Sequence, residues 1–319
     1  MIHRDSREII KPPCLKAKDR VAIIAPASRP ARPSLVKRAE ALVREMGFTP
    51  IIGENILKTH GYMAGTEEER LTDLSKAIGE ESIKAIWCIT GGYGTLPLLP
   101  HLQYQKLVDS PKIIMGAEDI SHLLLAVSKK AHMVTLHGPN LDRVNSKSLF
   151  EKIKRALTHT EYVDIISHDP VLDHFSYPAV PGMGKGRTLA ANLTALVSLF
   201  GTEFEPDLDG RVLLLEDARE RNDILDRWFT TLYVSGKLSS VAAVGLGIFE
   251  GCDSRSAVNM LSFEELAGDR LVQMGLPSCF NLSFGQGGAG GDNVIPIGVN
   301  ASLDTDNGKL TFLESALSK

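Results

Sequence analysis

The first half of the chain alternates short apolar runs with stretches of helical periodicity. Val21-Ala22-Ile23-Ile24-Ala25 is a solid apolar run stopped by Pro26, the pattern of a central strand. Over residues 32–46 the apolar positions Leu35, Ala39, Leu42, Val43 and Met46 recur at helical spacing, and Gly47 ends them. Residues 48–52 form the next strand. Thr66 and Glu69 stand three apart, a capping box that opens a helix running to Ile78. Residues 85–89 form a third strand that runs into Gly91-Gly92-Tyr93-Gly94. Residues 112–115 form a fourth, followed by a helix over 121–131. Residues 133–136 form a fifth, ending at His137-Gly138-Pro139. Strands alternating with helices predict an α/β unit: a parallel sheet covered on both faces. The loops after Ala25, Ile89, Met115 and Leu136 then open on one edge, where such sheets hold ligands.

The pattern changes after residue 165. Residues 166–187 carry Pro170, Pro178, Pro181, Gly182, Gly184 and Gly186, and read as a linker between domains at 1–165 and 188–319. Beyond it the pattern predicts a helix over 189–200, a strand over 211–215 closed by Glu216-Asp217, and a helix over 223–234. A strand over 241–248, a helix over 262–274 and short strands at 294–297, 301–303 and 309–312 follow. Thr305-Asp306-Asn307-Gly308 is a hairpin turn before the last of these. This half reads as a smaller, β-rich α+β domain. Residues 284–293 hold five glycines in ten positions and form a loop, either disordered or shaped around a ligand.

Composition narrows the function classes. The 319 residues are 43% hydrophobic and 23% charged, with 35 Lys and Arg against 39 Asp and Glu, a net charge of −4. No long run has one sign, so neither nucleic acid nor a membrane surface is an expected partner. No apolar stretch is long enough to cross a bilayer, and residues 1–18 carry no signal-peptide core, which places the protein in the cytoplasm. Cys14, Cys88, Cys252 and Cys279 form no C-x-x-C pair and read as reduced thiols, not as a zinc site. Gly182-Met183-Gly184-Lys185-Gly186 has the wrong spacing for a phosphate loop or a dinucleotide fingerprint. No metal and no cofactor is expected.

The candidate chemistry centres on residues 112–123. An apolar strand stops at Gly116, two acidic residues follow, and a helix begins. A strand-to-helix turn of this kind lifts one side chain clear of the backbone, here Glu118. Gly91-Gly92 either makes a tight turn or offers backbone N–H groups to a ligand oxygen. Glu216-Asp217 is either a solvated strand end or helix cap, or part of the site.

These pieces, in this order, resemble the L,D-carboxypeptidase family, serine peptidase family S66. That family includes murein tetrapeptide carboxypeptidases and microcin C self-immunity peptidases. The resemblance runs through 21–28, Gly61-Tyr62-Met63-Ala64-Gly65, Glu69-Arg70, Asp73-Leu74, Gly91-Gly92-Tyr93-Gly94, 116–123 and His137-Gly138-Pro139. It continues through Ala191-Asn192-Leu193, Phe200-Gly201-Thr202, Leu215-Glu216-Asp217, Asp226-Arg227, Gly236-Lys237-Leu238 and Ile295-Pro296-Ile297-Gly298. It implies a flavodoxin-like N-terminal domain, a smaller β-rich C-terminal domain, a site between them, a small peptide or muropeptide ligand and a homodimer.

The resemblance also implies a catalytic serine, glutamate and histidine. Glu118 stands in the serine's place, in Gly116-Ala117-Glu118-Asp119. Gln286, after Gly285, stands in the histidine's place, and Glu216 matches the glutamate. Oxyanion donors would be backbone N–H groups near Gly91-Gly92 and at Asp119, with Tyr93 and His137 in the surrounding binding segments. A serine peptidase needs a hydroxyl beside a base. Glutamine does not titrate near neutral pH, and glutamate forms no ordinary ester acyl-enzyme. Ser121 reads as a helix cap, and His122 and His137 as structural histidines.

Two readings stand. One is a hydrolase with a rebuilt site in which Glu118 and Glu216 share a pocket as acid and base, acting on a peptide or on a muropeptide glycosidic bond. The other is a non-catalytic muropeptide-binding pseudoenzyme. The choice of Glu at the elbow leans toward the first. Carboxylates held by arginine or lysine would favour the second.

Overall fold

The computed structural model describes residues 8–160, 176–252, 261–285 and 293–319, and the backbone of 165–166. The first sheet contains β1 (Arg20–Ile24), β2 (Thr49–Ile52), β3 (Ile83–Cys88), β4 (Ile113–Gly116) and β5 (Thr135–His137), parallel, in the order β2-β1-β3-β4-β5. β1, β3 and β4 are buried, largely apolar runs, as the sequence pattern predicts, while β2 at the sheet edge is half-buried. This is the flavodoxin-like order. Its topological switch lies between β1 and β3, so the crevice at their carboxyl ends is the expected ligand site. The capping box is present: Thr66 Oγ1 accepts from Glu69 N at 3.2 Å, and Glu69 Oε2 accepts from Thr66 N at 2.9 Å. The helix Glu67–Gly79 ends on a fully buried Lys112, whose ammonium donates to the carbonyls of Ala77, Ile78 and Glu80 at 3.1, 2.8 and 3.0 Å.

Among the described residues the second sheet has eight strands. They are β6 (Ile165–Ile166), β7 (Tyr177–Val180), β8 (Met183–Asn192), β9 (Val212–Ala218), β10 (Ala243–Glu250), β11 (Ser278–Phe280), β13 (Asn300–Asp304) and β14 (Lys309–Phe312), with β12 (Ile295–Ile297) assigned elsewhere. Their order is β6-β14-β13-β8-β9-β10-β11-β7. β8 to β11 run parallel, and the flanking strands pair antiparallel. Asp304 and Lys309 close the hairpin at 305–308.

Three expectations are corrected. Residues 183–187 are not linker but the first half of β8. Their glycines permit close backbone approach: a Cβ on Gly186 would sit 1.9 Å from the Gly210 carbonyl oxygen, and one on Gly184 would sit 2.3 Å from that of Ala242. The helix expected over 189–200 is strand to Asn192 and helix only over Leu193–Ser198. Leu189-Ala190-Ala191 is a strand buried on both faces, which periodicity cannot tell from a buried helix. The strand β12 does not belong to the second sheet. It returns to the first, antiparallel to β5, with Ile295 opposite His137. The expected linker also contains β7 at Tyr177–Val180, paired with β11, while residues 167–175 and most of the glycine-rich loop, including Gln286, lie outside the described residues.

Candidate functional site

Hydrogen bonds tie together the four loops at the carboxyl edge of the first sheet. Ser28 N donates to Gly91 O at 3.0 Å, Asp142 N to Ile89 O at 3.1 Å, and Ala117 N to Asn140 Oδ1 at 3.1 Å. They enclose a cavity of about 380 Å³ lined by Ser28, Thr90, Gly91, Gly92, Glu118, Asp142, Arg143 and Arg219. The loops expected to open on one edge therefore do build one wall.

Glu118 sits at the bend with φ of 58°, a left-handed conformation that L-residues avoid. Its Oε2 accepts from Gly92 N at 2.6 Å. Its Oε1 lies 3.4 Å from Arg219 Nη2 and 3.8 Å from Arg143 Nη2. Arg219 is also left-handed, at φ 57°. Gly91 lies directly beneath Glu118, and a Cβ there would meet Glu118 Cβ and Oε2, each at 2.5 Å. The side chain is 17% exposed, facing the cleft and not bulk water. Asp142 lines the same cavity. Burial pushes its carboxyl up to about 6, Glu118 adds to the rise, and Arg143 opposes it.

A second cavity of about 440 Å³ adjoins on the other side of Glu118. Tyr93, Asp119, His122, Asn192, Ser198, Asp217 and Arg219 are among its walls. Tyr93 stands over it, edge-on to Tyr62 at 5.5 Å. The Asp119 carboxylate accepts from Thr95 N at 2.7 Å and lies 3.2 Å from His122 Nδ1. His122 Nδ1 is also 3.0 Å from the Asp119 carbonyl, and His122 Nε2 is 2.7 Å from Ser198 Oγ. Burial pushes the Asp119 carboxyl up. The bonds to His122 and Thr95 outweigh that and hold it below its ordinary value. Ser121 is not a helix cap. Its hydroxyl is fully buried and accepts from Asn192 N at 3.0 Å.

Glu216 and His137 line neither cavity. Side chains alternate along β9. Asp217 turns to the helix Leu193–Ser198 and accepts from Asn192 Nδ2, Thr194 N and Thr194 Oγ1 at 2.9, 3.1 and 2.8 Å. Glu216 therefore turns the other way, fully buried, with Oε1 3.5 Å from His137 Nε2. His137 is fully buried too, and burial pulls its imidazole down to about 4, so it is neutral near pH 7. Neither of the two cavities brings Glu118 and Glu216 together. Asp142 shares the first cavity with Glu118, and Asp119, Asp217 and Glu220 share the second. Arg143, Arg219 and Ser198 were also missed. Arg143 lies four residues past His137-Gly138-Pro139 and Arg219 two past Glu216-Asp217, segments that the sequence singles out, but Ser198 carries no local signal.

A parallel flavodoxin-like unit with an acidic elbow after β4, joined to a β-rich second unit, defines a two-unit α/β scaffold. Residues 21–138 match the LD-carboxypeptidase N-terminal domain and residues 185–303 the LD-carboxypeptidase C-terminal domain. The chain belongs to the LD-carboxypeptidase family. It is 30% identical over 296 residues to the murein tetrapeptide carboxypeptidase of Pseudomonas aeruginosa, across 89% of this chain and 93% of that protein. The fold is shared with the wild-type apo structure of MccF, the microcin C7 self-immunity protein of Escherichia coli, at a TM-score of 0.85, with 23% identity over 97% of this chain and all of that one. It is also shared with the muramoyltetrapeptide carboxypeptidase of Oxalobacter formigenes, at a TM-score of 0.78 and 24% identity over 92% of this chain and 97% of that one. Among the described residues, no helix is long and apolar enough to cross a membrane.

Proposed function

We propose that the protein binds a small peptide or peptidoglycan-derived ligand in the cleft at Gly91-Gly92, and that its elbow does not acylate. One observation carries this reading: the Glu118 carboxylate itself takes the Gly92 N–H and faces two guanidinium groups. An N–H that donates to a ligand oxyanion in an acyl-transfer site must be free to do so. Here it already holds an anion, and no hydroxyl stands at the bend. Arg143 and Arg219 supply the positive charge for a ligand carboxylate. By likeness to the murein tetrapeptide carboxypeptidase, the first ligand to try is murein tetrapeptide. Calorimetry should show saturable binding, and mass spectrometry should show the terminal D-alanine retained. Release of D-alanine that disappears in Glu118→Ala would overturn the reading, as would the absence of binding.

A second reading is favoured by Asp142. Its raised carboxyl beside Glu118 is an acid–base pair of the kind that activates water. It requires cleavage of a muropeptide that Glu118→Gln and Asp142→Asn each abolish. The family likeness also supports a homodimer, which sedimentation equilibrium would test.

A further inference from the structure

We propose that Ser198, His122 and Asp119 form a second nucleophilic centre, which acts on ester or amide acyl groups held in the 440 Å³ cavity. The inference goes beyond the binding reading and stands whether or not murein tetrapeptide is the ligand. It rests on three contacts in line: Asp119 Oδ1 to His122 Nδ1 at 3.2 Å, His122 Nε2 to Ser198 Oγ at 2.7 Å, and Thr95 N to Asp119 Oδ2 at 2.7 Å.

The tautomer follows from the partners. Nδ1 of His122 faces the Asp119 carbonyl and the Asp119 carboxylate, and both can only accept. The ring proton is therefore on Nδ1. In the neutral imidazole this leaves the Nε2 lone pair pointing at Ser198, so the hydroxyl is the donor. A nucleophile, a base with its lone pair on the hydroxyl and a carboxylate that fixes the tautomer are the three roles of a serine hydrolase. Burial divides the roles in the same way. His122 is 4% and Asp119 7% exposed, whereas Ser198 is exposed at the cavity edge. The Ser198 hydroxyl has one proton, and the Ala195 carbonyl at 2.8 Å competes with His122 Nε2 for it. Arg219, on the same cavity wall, offers positive charge to a developing oxyanion.

In the reaction, Ser198 Oγ bonds to the acyl carbon as its proton passes to His122 Nε2. The bond from carbon to the leaving oxygen or nitrogen breaks, and the leaving group takes that proton. Water, deprotonated by His122, then releases the acid and restores the serine. Asp119 is a positioning residue.

The test uses the full chain and a fluorophosphonate probe. Ser198 Oγ displaces fluoride from phosphorus, and the serine proton leaves through His122. Intact-mass and peptide analysis should find one adduct, on Ser198. Labelling should disappear in Ser198→Ala and fall at least 100-fold in His122→Gln, each checked for an unchanged melting temperature. In Asp119→Asn the pH profile of labelling should shift, which a merely structural carboxylate would not cause. No adduct on the folded wild-type protein, an adduct on another serine, or equal labelling of Ser198→Ala would overturn the proposal. None of these results touches the calorimetric binding of the tetrapeptide, so the two readings fail separately.

Discussion

Gly92 donates its backbone N–H to Oε2 of Glu118 at 2.6 Å, across the 26 residues that separate them in sequence. The bond ties the loop after β3 to the bend after β4. It holds in place a residue whose backbone is in the left-handed region at φ 58°. A non-glycine residue there costs about 1–2 kcal/mol, which the carboxylate contacts offset.

Removing those contacts while keeping the strain should therefore be worse than removing both. Glu118→Ala is expected to be less stable than Glu118→Gly by about 1 kcal/mol, the reverse of the usual order in a helix or strand. Urea denaturation of the two variants measures it. An alanine variant as stable as the glycine variant would mean the bend is not strained.

The buried pair of His137 and Glu216 predicts acid sensitivity. The imidazole titrates near about 4 in the fold against an ordinary 6.5. Between those values the unfolded chain binds the extra proton. This contribution is therefore complete above about pH 6.5 and shrinks as pH falls toward 4. The full span corresponds to about 3 kcal/mol. Replacing His137 by Gln should flatten the fall in denaturation midpoint between pH 7 and 4 relative to the wild type. Parallel curves for the two proteins would show that other groups set the acid limit.

Gly186 and Gly201 separate two reasons for a glycine. A Cβ on Gly186 meets a backbone carbonyl at 1.9 Å, while one on Gly201, at φ +79°, meets nothing within 4 Å. Gly186→Ala should cost about 3 kcal/mol from overpacking, and Gly201→Ala only about 1 kcal/mol from backbone strain. Melting temperatures of the two variants give the comparison, and equal shifts would contradict it.

The parallel strands of the first sheet were legible because most are short apolar runs with a helix next in sequence, whereas β12, its antiparallel strand, has none. The loops of the parallel strands could be placed on one edge before any coordinates. β8 was misread because Gly184 and Gly186 look like linker residues unless the strands crossing them are known. The apolar Leu189-Ala190-Ala191 fits a helix equally well. The elbow at Glu118 and the turn at Gly91-Gly92 are local patterns and could be located. Whether Glu216 or Asp217 faces a ligand depends on where β9 meets its neighbours, and the sequence order of two acids does not say. Asp142, Arg143 and Arg219 reach Glu118 only through tertiary structure. Ser198 lies 76 residues from His122, and a hydroxyl at a helix end has no signature of its own.

The return of Ile295–Ile297 to lie beside Thr135–His137 ties late chain to early chain. The two halves are consequently not interchangeable modules. A fragment cut in the 166–187 region would leave the His137 strand with a bare edge, open to pairing with another copy. During synthesis, the amino-terminal sheet has to wait for almost the whole polypeptide before its last row of hydrogen bonds can close.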